Sequence, residues 1–237
     1  MRRDLLRTGA RVYLAAVLFS AALTAILLWS ASSSTASLAQ FLLITGLGMV
    51  AHSFPVQASR HQAYQATLPF IVVAAASFSI AQLIVFILLI HAAEQARVRR
   101  VWYIQVSNVG GYFLAAAVSG VIFHQAIRLL APGLLSSTEA ALAAGCTFVL
   151  LNRALLAGIL WLARNLSPAR SGLFRPELLA VDLIITWISA PMLVLTLVAG
   201  PWMTLITAGP LFLFRPALAY LLSDHEHQPE QLQAPAA

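Results

Sequence analysis

Apolar runs long enough, or nearly long enough, to cross a bilayer follow one another from Val12 to Leu222, and arginines fence them off. A hydrocarbon core about 30 Å thick takes about 20 apolar residues per helical crossing, and these runs leave no room for a separate soluble domain. The chain is 60% hydrophobic and only 9% charged, against about 45–50% and about 25% in soluble domains. A soluble fold of 237 residues has no means of covering so much apolar surface. The expected fold is therefore all-α: a polytopic transmembrane helix bundle forming one integral membrane domain over 1–222. The polar tail 223–237 (SDHEHQPEQLQAPAA) is too short and hydrophilic to fold alone and is expected to be disordered.

The net charge of +6 does not point to nucleic acid in such a chain, because cytoplasmic loops of membrane proteins accumulate Lys and Arg. The expected partner is the lipid bilayer. All fourteen basic residues are arginine, and the single Cys146 lies in an apolar run, which excludes a disulfide framework and a cysteine metal site.

The N-terminus, MRRDLLRTGAR, superficially resembles a twin-arginine export signal. It reads more simply as the basic flank of a first membrane helix over 12–29. Further helices are expected over 38–54, 102–128, 139–163, 178–198 and 202–222, with polar loops at 30–37 and 57–65 and a basic loop at 164–176. Trp102-Tyr103 opens one of these helices with the aromatic pair enriched at membrane surfaces. The run 67–94 is ambiguous, and the arginines decide it. If it crosses once, six arginines (2, 3, 7, 11, 60, 128) share the N-terminal side and six (97, 99, 100, 164, 170, 175) lie opposite. If it crosses twice, the split becomes eleven against one, with Arg128 alone outside. The positive-inside rule favours two crossings. The expectation is thus about seven to eight segments, with a split or short helix pair at 67–94 that turns at Ser77-Phe78-Ser79 and both termini cytoplasmic. Ser77, Ser79 and Gln82 are available to satisfy backbone at that buried turn.

Polar groups in the hydrocarbon region are costly and often functional. Asn108 (VSNVGGYFLAAAVSG) and Asn152 (FVLLNRALLAG) each precede small residues that permit close helix approach, and each reads as an interhelical clasp or a ligand contact. Arg153 is the costliest residue at mid-membrane, and Asp182 on the following helix is its expected partner. His52, His91 and His124 lie near helix ends and show no metal-ligand spacing with another His, Cys or carboxylate. His225-Glu226-His227 reads as solvated tail. No HExxH, phosphate loop or nucleophile elbow is present. No catalytic residue, metal or cofactor is expected, and a membrane enzyme would need paired acidic or His residues at one depth.

The order of features resembles the MASE-like N-terminal membrane sensor domains of bacterial GGDEF and HD-GYP signalling proteins. The residues that carry the likeness are Phe54-Pro55-Val56, the paired run after the polar loop, Arg99-Arg100-Val101-Trp102-Tyr103 leading to Asn108, the segment at Asn152, and Gly209 to Arg215. The resemblance implies a non-enzymatic inner-membrane sensory or interaction module. No output domain follows Leu222, so the module would act through a cytoplasmic signalling protein or as a homo-oligomer. The layout is also similar to substrate-binding subunits of vitamin-type importers, whose pocket would here involve Asn108, Asn152 and Arg153.

Overall fold

The computed structural model describes residues 7–30, 36–54, 56–59, 62–64, 66–210 and 212. Helices dominate: α1 (Thr8–Trp29), α2 (Leu38–Ser53), α3 (Leu68–Ser77), α4 (Ile80–Val98), α5 (Trp102–Leu129), α6 (Leu134–Arg164), the short α7 (Pro168–Ser171) and α8 (Pro176–Ala199). Residues 203–210 are also helical. A small antiparallel hairpin, β1 (Val56–Ser59) and β2 (Gln62–Tyr64), lies where a polar loop was expected. Arg60, His61 and the tail 223–237 lie outside the described residues.

Five helices, α1, α4, α5, α6 and α8, are long and apolar enough to cross a membrane. This is the part of the expected seven to eight segments that length and composition establish. The two remaining apolar helices fall short: at 1.5 Å per residue, α2 rises about 24 Å and α3 about 15 Å. Phe78 is the reason α3 stops. Its extended backbone (ψ 149) breaks the run between Ser77 and Ser79, where the sequence places the turn.

Cross-helix contacts give each helix its direction. Gln82 bonds Ala36 at one end of α2 and α4, and His52 meets His91 at the other, so these two helices run parallel. Thr67 lies beside His52, which sends α3 back the opposite way between them. Gln105 to His91, Ser119 to Ala144, Asp182 to Arg153 and Tyr13 to Leu155 make α4 and α5, α5 and α6, α6 and α8, and α1 and α6 antiparallel. The chain therefore reverses at every connection, including the break at Phe78. Eight of the ten described arginines (Arg7, Arg11, Arg97, Arg99, Arg100, Arg164, Arg170, Arg175) collect at or within about a turn of one end of the bundle. Arg128 lies at the other end and Arg153 lies inside. Trp102 and Trp161 are exposed toward the arginine-rich end, and Trp29 and Trp202 toward the opposite one, as interfacial aromatics do.

Small residues let these helices close. A Cβ on Gly120 of α5 would sit 2.5 Å from the Ala75 carbonyl oxygen of α3, and one on Gly158 of α6 would sit 2.5 Å from the Tyr13 hydroxyl of α1. The small-residue stretches after Asn108 and Asn152 thus work as packing surfaces. All ten residues of α3 are buried, so it forms the centre of the bundle and faces protein on every side.

Candidate functional site

Three ionisable side chains that the sequence leaves apart meet in the core. His52 ends α2, and His91 and Glu94 stand one turn apart on α4; all three are buried. His52 Nε2 lies 3.1 Å from His91 Nδ1 and 3.4 Å from Glu94 Oε2, and His91 Nδ1 lies 3.6 Å from the same oxygen. The parallel run of α2 and α4 makes this possible, with Gly48 facing Phe86 and Ile90 one turn before His52. Thr67, entering α3, places its hydroxyl 3.1 Å from His52 Nδ1 and so fixes the ring. Tyr112 of α5 packs edge-on against both imidazoles, with centroids 5.5 and 4.8 Å away.

The other carboxylate oxygen, Glu94 Oε1, faces the basic end. Arg100 reaches it with Nη2 at 2.9 Å and Nε at 3.0 Å. Arg99 takes a left-handed conformation (φ 51) that ends α4, and the side chain of Arg100 then folds back over the last turn. An L-residue other than Gly pays about 1–2 kcal/mol for that backbone. Gln95 donates to the Arg100 carbonyl at 2.9 Å, and Gln105 donates to the His91 carbonyl at 2.7 Å. Arg97 donates to the Ser53 carbonyl and lies 3.9 Å over the Phe54 ring, tying the α4 end to the α2 end.

Proton accounting within the triangle does not close. The short contact between the two imidazole nitrogens needs one of them bare, and a bare nitrogen has nothing to donate to the carboxylate. Two neutral imidazoles and a carboxylate therefore cannot turn all three contacts into full hydrogen bonds. In addition, His91 Nε2, Gln95 Oε1 and Gln105 Oε1 are buried without a hydrogen-bond partner among the described residues. Unsatisfied buried polar atoms are few in native proteins and ask for a cause.

The second ionic centre is the expected one. Arg153 of α6 pairs with Asp182 of α8, Nε and Nη2 each 2.5 Å from Oδ2. Arg153 also donates to the Leu173 and Leu178 carbonyls, so every arm of the guanidinium is used. Asn152 hydrogen-bonds the Tyr112 side chain and joins the two centres. Asn108, a turn earlier on α5, is half-buried and bonds to none of the described residues through its side chain. Ser79 and Gln82 form a reciprocal capping box at the start of α4, and Gln82 also bridges the backbone of Ala36. Ser77 does not share this work: its hydroxyl is buried without a partner among the described residues.

Neither family models, curated proteins nor solved structures give a match to this chain.

Two readings of the sequence need correction. His52 and His91 do have ligand spacing with a carboxylate, because His91 and Glu94 are i, i+3 on one helix face and the fold brings His52 to them. Paired acidic and His residues at one depth are therefore present. His124 is exposed and plays no part. The i, i+3 His/Glu spacing in HAAE was the available signal, since helix bundles build metal and cofactor sites from such pairs. His52 was invisible because nothing local announces that α2 and α4 are neighbours.

Proposed function

We propose that this chain is a non-catalytic membrane sensory or interaction module whose input is the His52–His91–Glu94 centre and whose output is the arginine-rich end. The observation that carries this reading is the Glu94–Arg100 pair. Glu94 is fully buried, whereas the Arg100 side chain is 30% exposed. One ion pair thus links the polar core to the α4–α5 connection, beside a backbone held in a left-handed turn at Arg99. A change in charge or ligation at the buried oxygens alters the hold on Arg100 and so the shape of the 97–102 surface, where a partner would dock. The similarity in order of features to MASE-like sensor domains agrees with this role.

In this reading α2, α3 and the stretch from 203 complete seven to eight membrane segments. The arginine-rich end faces the cytoplasm of a bacterial inner membrane, following the positive-inside rule, with both termini on that side. Substrate capture by a transport subunit has less support. Arg153 is fully engaged and Asn152 is bound to Tyr112, so two of the three residues expected to line that pocket already hold partners within the chain.

The test has two steps. With Cys146 replaced, a Val98→Cys variant in intact cells should resist a membrane-impermeant thiol reagent and react after lysis; labelling from outside would reverse the orientation. A thermal-shift screen of the purified chain against vitamins, amino acids, nucleotides and divalent metals then selects a stabilising compound. Hydrogen exchange with that compound bound should change across 97–102. A compound that stabilises the chain through the polar core and leaves 97–102 unaltered would argue against signalling through this connection.

A further inference from the structure

The triangle formed by His52 Nε2, His91 Nδ1 and Glu94 Oε2 has edges of 3.1, 3.4 and 3.6 Å. Two ligands each about 2.05 Å from a tetrahedral centre lie about 3.3 Å apart. The three donor atoms therefore already span one face of a tetrahedron of zinc-like size. Calcium and magnesium prefer all-oxygen shells, whereas two imidazoles and one carboxylate suit zinc-class ions. A central cation also resolves the proton accounting, because all three atoms then present lone pairs inward and no contact needs a shared hydrogen. Thr67 supplies an outer partner: when Nε2 is the ligand, His52 Nδ1–H donates to the Thr67 hydroxyl, the arrangement that orients metal-bound histidines.

From this geometry we infer that His52, His91 and Glu94 bind a zinc-class divalent cation, with three protein ligands and a fourth position open to water or a further ligand. The inference deepens the sensory reading above and rests on it for its biological meaning, since it names the input.

Charge balance gives the site its mechanism. Glu94 is the one carboxylate at the site, and Arg100 already neutralises it. A divalent ion placed on Oε2 adds two positive charges beside that guanidinium in a low-dielectric core. Arg100 is the partly exposed member of the group and is free to turn outward. Occupancy thus exchanges one counter-ion of Glu94 for another: the metal enters between α2 and α4, and Arg100 is released toward the basic end.

Cobalt(II) titration of the full chain, purified in detergent and stripped with a chelator, tests the site. Wild-type protein should develop the intense visible bands of tetrahedral cobalt, saturating at one ion per chain, and zinc should abolish them. His52→Gln and Glu94→Gln should each weaken binding at least about tenfold, and Thr67→Ala by about tenfold. The double variant His225→Ala/His227→Ala should keep the bands, which excludes the tail histidines. X-ray absorption on zinc-loaded wild type should report two imidazoles and one carboxylate at about 2.0 Å, and this holds as a test even where a variant fails to fold. Absence of saturable binding to folded wild type, or bands that persist in His52→Gln, overturns the site. Hydrogen exchange separates this from the sensory reading. Zinc binding with no change at 97–102 leaves the metal site standing and overturns the signalling role. An alteration of 97–102 by a different compound, in a folded chain that binds no zinc or cobalt, does the reverse.

Discussion

Among the described residues two ionic centres lie inside the bundle, and they are built on opposite principles. Between α6 and α8, Arg153 meets Asp182 and spends its remaining donors on two backbone carbonyls. Between α2 and α4, two imidazoles and a carboxylate crowd together more closely than their hydrogens can account for, beside three buried polar atoms without a partner among the described residues. Both are expensive to bury in a membrane. The first is closed chemistry, a clasp that fixes two helices. The second converges on a point that its own atoms do not fill. Burial of charge alone does not distinguish a site from a strut; the state of satisfaction does.

The largest expected effect comes from Arg153→Ala. It leaves the mostly buried Asp182 carboxylate, 17% exposed, without its counter-charge, at a cost of about 3 kcal/mol, the lower end of the range for a broken buried pair, read as a lower thermal midpoint in detergent. Adding Asp182→Asn should recover part of that loss, and strictly additive losses would sink the clasp. Glu94→Gln should cost less, about 1–3 kcal/mol, because Arg100 can turn to solvent. A loss equal to that of Arg153→Ala would break the comparison, since the histidine centre would then be a strut as well. Tyr112→Phe removes the hydroxyl that meets Asn152, for about 1 kcal/mol. In that background any coupling measured between Glu94→Gln and Asp182→Asn should vanish. Gln82→Ala, which opens the capping box at the far end of α4, should cost about 1 kcal/mol and add independently to every other variant.

Most of the long helices were legible because their apolar runs are long and their ends carry charge, Pro or Gly. The reversal at Phe78 was legible through the arginine distribution alone, since no Pro or Gly marks it. Arg153 and Asp182 could be paired because they lie on helices that follow each other, toward the end where α6 leaves and α8 enters. The histidine centre was not legible as a whole. Its residues come from α2 and α4, which run parallel with α3 lying between them in sequence, and hydropathy carries no information on which non-consecutive helices touch. The pairing of Val56–Ser59 with Gln62–Tyr64 was hidden for a related reason: a short polar loop shows no core-facing alternation to read. Asn108 and Asn152 looked alike in sequence. Among the described residues only Asn152 stands opposite a partner, because α5 presents Tyr112 to it.

The complete burial of α3 has a consequence for biosynthesis. A ten-residue helix with no lipid-facing side gains little from hydrocarbon by itself, and the helices that cover it, chiefly α8 and α5, are made after it. As the chain leaves the ribosome, α3 therefore waits for its cover, and the centre of the bundle is sealed only when α8 has been inserted. A chain interrupted before α8 would present α3 and the backbone at Phe78 to the proteases that survey unfinished membrane proteins.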